Sequence, residues 1–100
     1  MPTYIALINW TQKGIENVKD SPDRAASWKD AVKQSGCEAK SFFMTMGDYD
    51  LVTVVEAPDD ETYARLTLAV AALGNIRTKT LRAFTEEEYR RIIASALLDL

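Results

Sequence analysis

An α+β fold with an antiparallel sheet is what the order of elements in this chain predicts. Three observations carry it. Short apolar runs alternate with helical stripes in the order βαββαβ, with one further helix behind them. Glycine, proline and acidic residues punctuate the boundaries. The 100 residues, 47% of them hydrophobic, suit one core and no second domain, so residues 1–100 read as a single unit.

The first strand is Thr3 to Asn9, an apolar run without clean alternation, as in a strand covered on both faces. Thr11 caps a short turn containing Ile15 and Val18, and Ser21-Pro22 supplies a cap and a first-turn proline for a longer helix. Ala25, Trp28 and Val32 share one face of that helix, and Gly36 ends it. Cys37 to Met46 and Leu51 to Glu56 form a hairpin around Gly47-Asp48-Tyr49-Asp50. Pro58, Asp59, Asp60 and Glu61 open a second long helix, whose buried stripe is Tyr63, Leu66, Val70 and Leu73. Gly74-Asn75 ends it, and the mixed residues Ile76 to Phe84 make a fourth strand near an edge. Thr85 and Glu88 spell a capping box for a last helix with Tyr89, Ile92, Ile93, Ala96, Leu97 and Leu100 on one stripe. That stripe is expected to cover something apolar.

The split βαβ order gives a ferredoxin-like sheet with its two crossover helices on one face. In the third strand Leu51, Thr53 and Val55 alternate with Val52, Val54 and Glu56, so both faces are largely apolar while the helices cover one. An uncovered apolar face implies a partner, and the expected one is another copy of the chain.

Composition narrows the function classes. A net charge of -3 and a pI near 4.9 oppose phosphate neutralisation, so no nucleic acid is expected. The longest apolar-leaning run, Leu66 to Leu73, is too short to span a bilayer, so no membrane is expected either. A lone Cys37 makes no internal disulfide and the N-terminus lacks the regions of a signal peptide, which makes the cytoplasm the expected location. With no histidine and one cysteine, neither a metal site nor histidine-ligated haem is expected. Without a Gly-x-Gly-x-x-Gly or P-loop pattern, no nucleotide cofactor is expected.

The candidate residues each have a plain and a sharper reading. Gly47-Asp48-Tyr49-Asp50 is a tight turn, or else places Tyr49 and Asp50 at a subunit junction to bind a small organic ligand. Trp10 and Trp28 pack helix on sheet, or wall a pocket where Arg24 and Arg77 hold a carboxylate or phosphate. Glu56 ends a strand in solvent, or, if buried without a cation, becomes the first general-base candidate, with Asp50 the second. Cys37 reads as packing.

Tyr4 to Pro22 (YIALINWTQKGIENVKDSP), Ser41 to Asp60 (SFFMTMGDYDLVTVVEAPDD) and Leu73 to Ile93 (LGNIRTKTLRAFTEEEYRRII) together resemble the GYD-domain family, with its Gly-x-Tyr-Asp hairpin. The resemblance implies a dimeric α/β barrel in which two sheets pack face to face, and no particular reaction. Gly47, Tyr49 and Asp50 also resemble the hairpin of effector-binding domains in leucine-responsive, feast-or-famine regulators, which bind small molecules between subunits. This chain has no helix-turn-helix segment to go with it.

Two functions follow as expectations. One is a homo-oligomeric small-molecule-binding or assembly module. The other is a small cofactor-independent enzyme of isomerase, decarboxylase or monooxygenase type, since other dimeric α/β barrels run such reactions, commonly with a histidine that this chain lacks. A structural subunit of a larger complex is the third possibility.

Overall fold

A computed structural model describes residues 1–98. Strand β1 (Thr3–Trp10) leads through a short helix α1 (Gln12–Glu16) and a 3-10 turn at Val18–Asp20 into α2 (Ser21–Gln34). The hairpin strands β2 (Glu38–Met44) and β3 (Leu51–Glu56) follow, then α3 (Asp60–Ala71), β4 (Ile76–Ala83) and α4 (Glu86–Leu97). The sheet order is β2-β3-β1-β4 with every neighbouring pair antiparallel, which is the ferredoxin-like arrangement. β4 is an edge strand, as its mixed side chains predict.

Local chemistry explains the boundaries, with two corrections. Ser21 is the first residue of α2 and does not cap it; the 3-10 turn runs straight into the helix, and the cap position falls on Asp20, whose side chain makes no capping bond. At the other end Gly36 takes φ +80°. Its N–H donates to the Lys33 carbonyl at 3.1 Å and the Cys37 N–H to Val32 at 3.0 Å, so the last carbonyls of α2 are satisfied. Pro58 precedes α3 and lies outside its first turn, because Asp59 is the cap and accepts from the Thr62 N–H at 2.8 Å. That backbone hydrogen bond, with one from the Thr62 side chain, holds the Asp59 carboxyl below the usual range.

The register sorts the side chains. Tyr4, Ala6 and Ile8 stand opposite Val55, Thr53 and Leu51, and all six are buried on the helix-covered face. Tyr4, Val32, Cys37, Val55, Ala57, Tyr63 and Leu66 form the main core, where α2 and α3 cross the sheet. Ala6, Ile8 and Leu51 form a second cluster with Trp10, Phe42 and Ile76 beside it. On the opposite face, Ile5 pairs with Val54, and Leu7 with Val52, which in turn faces Phe43. Leu81 extends this surface beside Ile5 on β4. Among the described residues no element lies over it, as the alternation in β3 predicts.

The capping box at α4 is formed: Thr85 accepts from the Glu88 N–H at 3.2 Å and Glu88 accepts from the Thr85 N–H at 2.9 Å. The expectation that its stripe covers something apolar fails within the chain. α4 buries none of its residues, and Tyr89, Ile92, Ile93 and Leu97 are 44 to 57% exposed. Leu100, the last member of the expected stripe, lies outside the described residues. The molecule measures 53 × 31 × 18 Å. Eight-residue strands span only about 26 Å, and α4 adds about 18 Å as a projecting arm.

Candidate functional site

Between α2 and α3, above the second core cluster, the chain leaves an apolar groove of about 610 Å³. Its floor is sheet: Ile8, Trp10, Phe42, Leu51, Thr53 and Ile76. Its walls are Trp28 and Ala31 from α2 and Leu66, Ala69 and Val70 from α3, with Leu73 just beyond that helix. Asp20, Ser21, Asp23, Arg24, Ser27 and Asn75 form the polar rim. The groove exists because α2 and α3 present small residues, Ala25, Ala31 and Ala69, where larger ones would meet. Trp28 packs against Phe42 with ring centroids 6.0 Å apart and planes tilted by 54°, giving the groove an aromatic end.

Arg24 stands at the rim held by two backbone carbonyls, donating to Asn17 at 3.0 Å and Gly14 at 3.3 Å. A guanidinium has more donors than these contacts use, so it remains able to meet a polar ligand group. Trp10, Arg24 and Trp28 are therefore brought together, as their sharper reading requires. Arg77 is not with them. It is paired across the ladder with Asn9, on the uncovered face, so the expected mouth with two arginines has only one.

Tyr49 and Asp50 also lie outside the groove, at the end of β1. Gly47 takes φ +103°, which suits glycine, and lets the hairpin fold back. The Thr45 N–H donates to the Asp50 carbonyl at 2.8 Å, the Thr45 hydroxyl to the Tyr49 carbonyl at 2.6 Å, and the Asp50 N–H to the Ile8 carbonyl at 2.9 Å. The Asp50 carboxylate accepts from the Trp10 N–H at 3.0 Å and from Asn9 Nδ2 at 3.4 Å, and Asn9 Nδ2 also donates to the Asp48 carbonyl at 2.9 Å. Asp50 thus fastens the hairpin to the strand that carries Trp10. Tyr49 points its ring toward Lys79 of β4, whose Nζ lies 5.8 Å from the ring centroid.

Glu56 does not meet the condition for a general base. Its side chain is 28% exposed and Lys40 Nζ lies 3.9 Å from it, so the carboxylate is neither buried nor without a cation. Lys40 reaches it from the bulge that shifts the β2–β3 register between Ala39 and Ser41. Cys37 is buried in the core, and burial, aided by the Asp59 charge, pushes its thiol up and away from reactivity.

Two features escape the sequence patterns. Tyr4 stacks on Tyr63 at 4.2 Å between centroids and 5° between planes, donates its hydroxyl to Asp60, and lies 5.6 Å beneath the Arg82 guanidinium. Burial first, then the Asp60 hydrogen bond and charge, push the Tyr4 hydroxyl up to about 12. The second is Gly14, where a Cβ would sit 2.0 Å from the Asn75 carbonyl oxygen. That close approach seats α1 against the turn before β4, where the Thr11 N–H meets the Asn75 carbonyl at 3.0 Å and Lys13 Nζ meets the Leu73 carbonyl at 2.9 Å. A glycine inside a helical stretch is the signal that points to it. Among the described residues no group of three or more histidine, cysteine, aspartate or glutamate residues is placed to hold a metal ion, and no helix is long and apolar enough to cross a membrane.

Comparison with known proteins agrees with this architecture. The chain is 36% identical over 84 residues to the glutamine synthetase and cystathionine beta-lyase binding protein of Thermus thermophilus, covering 83% of this chain and 88% of the relative. A crystal structure of TTHA0845, also from Thermus thermophilus, superposes with a TM-score of 0.55 and 25% identity over 85% of this chain and 95% of that one. The feast or famine regulatory protein of M. tuberculosis, complexed with L-methionine, superposes with a TM-score of 0.65 at 15% identity, a likeness of fold. The match covers 85% of this chain and about half of the regulator, 51%. The GYD domain model matches residues 4–93, and with the Gly47, Tyr49 and Asp50 hairpin built as described, the chain belongs to the GYD-domain family.

Proposed function

We propose that this protein is a homodimeric binding module: two copies pack their open sheet faces together, and the groove of each takes a largely apolar small molecule whose polar end meets the rim. The observation that carries the ligand reading is the apolar groove of about 610 Å³, with Trp10 in its floor, Trp28 in its wall and Arg24 at its mouth. Its volume lies within the range of small-molecule sites, and a few polar groups on an apolar lining are their usual chemistry. The dimer reading rests on the uncovered Ile5, Leu7, Val52 and Val54. The same face carries Glu38 and Glu56 toward one corner and Arg77 and Lys79 toward the diagonal one, an arrangement that matches itself about a two-fold axis exchanging those corners.

Binding is favoured over catalysis because both base candidates, Glu56 and Asp50, lie outside the groove. An assembly role is the second reading. It is favoured by the Thermus relative, whose name is that of a protein that binds two enzymes.

Native mass spectrometry on protein purified gently from its own host tests both parts at once, and tryptophan fluorescence then reports which small molecules enter beside Trp10 and Trp28. A dimer with retained mass, and a fluorescence change on adding that compound, is the expected result. A dimer that is clean and silent to ligands would move the weight to assembly. A monomer would remove the sheet-pairing reading.

A further inference from the structure

The starts of α2 and α4 leave their acids in different states. In α4 the cap and third positions, Thr85 and Glu88, accept from each other's N–H groups, so both side chains are used. In α2 those positions hold Asp20 and Asp23. The 3-10 turn already directs the Asp20 N–H to the Asn17 carbonyl at 3.0 Å, so a reciprocal box with Asp23 does not form, and the Asp20 side chain makes no capping bond. Two carboxylates are left as neighbours on one helix face, where like charges repel. The α2 dipole offsets part of that repulsion. Among the described residues neither acid has an ion-pair partner. Both line the groove, and Ser27 follows one turn further along the same face.

We propose that the groove takes an apolar primary amine, whose hydrocarbon body lies against Trp10, Trp28 and Phe42 and whose ammonium sits at the rim beside Asp20 and Asp23. The inference rests on the groove reading above and names the ligand class that reading leaves open. The rim selects the sign of the head group. It offers two carboxylates and one guanidinium, so it is short of a cation. Arg24 does not meet that need, because its guanidinium is turned to the carbonyls of Asn17 at 3.0 Å and Gly14 at 3.3 Å. An ammonium brings three donors and no acceptor, which matches the two carboxylates and the Ser21 and Ser27 hydroxyls on the same rim. An anionic head would meet two like charges. It would also find a helix start with little to donate, since the Ser21 N–H is bonded to the Val18 carbonyl and Pro22 has no N–H. The floor selects the body. Thr53, 2% exposed, brings its only hydroxyl, so polar groups along the body of a ligand would go largely unpaired.

Trp10 and Trp28 are the only tryptophans of the chain and both line the groove, so their emission reports entry. Three probes that share one body separate the head groups: phenylbutylamine, phenylbutanol and phenylbutyrate, titrated at neutral pH in low salt. The amine is expected to bind about tenfold more tightly than the alcohol, since a hydrogen bond to a charged group adds at least that much over a neutral one, and the acid is expected to bind least. In the double variant Asp20→Asn with Asp23→Asn, the preference for the amine is expected to shrink to about twofold. Asparagine serves a helix cap as well as aspartate does, so the variant keeps the fold. An alcohol or acid that matches the amine overturns the amine reading and leaves the groove a ligand site. A preference that survives in the variant overturns it too. Silence to all three probes removes the groove reading and the amine with it.

Discussion

Tyr4 lies outside every pattern the sequence offers for a site, yet its hydroxyl is tied to Asp60, and its ring stacks on Tyr63 with the Arg82 guanidinium nearby. Burial and the Asp60 carboxylate raise its pKa to about 12, against about 10 in an unfolded chain. Below pH 10 both states hold the proton, so the contribution to stability is full. Between about pH 10 and 12 the unfolded chain gives the proton up while the folded one keeps it, and stability falls as pH rises. Burial raises Tyr63 as well and adds to the same trend. Tyr4→Phe is expected to lower the melting temperature at pH 7 through the lost hydrogen bond, and to make the decline from pH 10 to 12 shallower. A decline of unchanged steepness, measured by circular dichroism, would assign the alkaline loss elsewhere. The Tyr4 cluster was illegible in the sequence because a run of strand residues says nothing of which helix acid it will face. The Trp10, Trp28 and Arg24 grouping was legible as far as residue type, since large aromatics in a small domain must meet its core. What separated Arg77 from Arg24 was the parity of β4, fixed by the register Asn9 to Arg77.

Among the elements, α4 is the most clearly written and the least explained by its own chain. Its capping box, its acidic first turn and its stripe all read directly from the sequence. A local pattern specifies a helix without specifying what the helix touches. That separation has a measurable result. Thr85→Ala removes a cap worth about 1 kcal/mol, but in a monomer the loss falls on a helix uncoupled from the core. The expected outcome is faster amide hydrogen exchange across Glu88 to Ile92 with the global melting temperature unchanged in dilute solution. A drop in the dilute melt would mean that α4 packs on its own sheet. The start of α2 shows the converse failure, where Ser21 and Pro22 look like a cap and a first-turn proline. The 3-10 turn at Val18–Asp20 had already begun the winding, so the serine was spent inside the helix. Short 3-10 turns have little sequence signature, which is why that boundary moved.

For the whole molecule, the sheet is the organising surface, with helices on one side and an apolar face on the other. The alternation of Leu51, Thr53 and Val55 with Val52, Val54 and Glu56 foretold both sides, because period two is the strongest signal a strand carries. Val54→Asp places a charge at the centre of the open face, opposite Ile5. It is expected to convert the proposed dimer to a folded monomer, since an unpaired charge is costly to bury between copies and cheap in water. Sedimentation velocity checks it, and an undisturbed dimer would locate the interface elsewhere. The groove was not legible at this scale. Its volume depends on how far α2 and α3 stand apart over the sheet, a distance set by small side chains on two separate helices.

One strand, β3, therefore serves two surfaces in alternation. Leu51 and Thr53 line the groove, while Val52 and Val54 belong to the open face. If every residue from Leu51 to Glu56 were substituted in turn and scored once for ligand uptake and once for self-association, the two profiles would resemble interleaved combs, offset by a single residue. Drift in one trait would be free to proceed through odd positions while the other is held by even ones. On the proposed function, such a strand would let a small domain acquire a new ligand without renegotiating how it meets its twin.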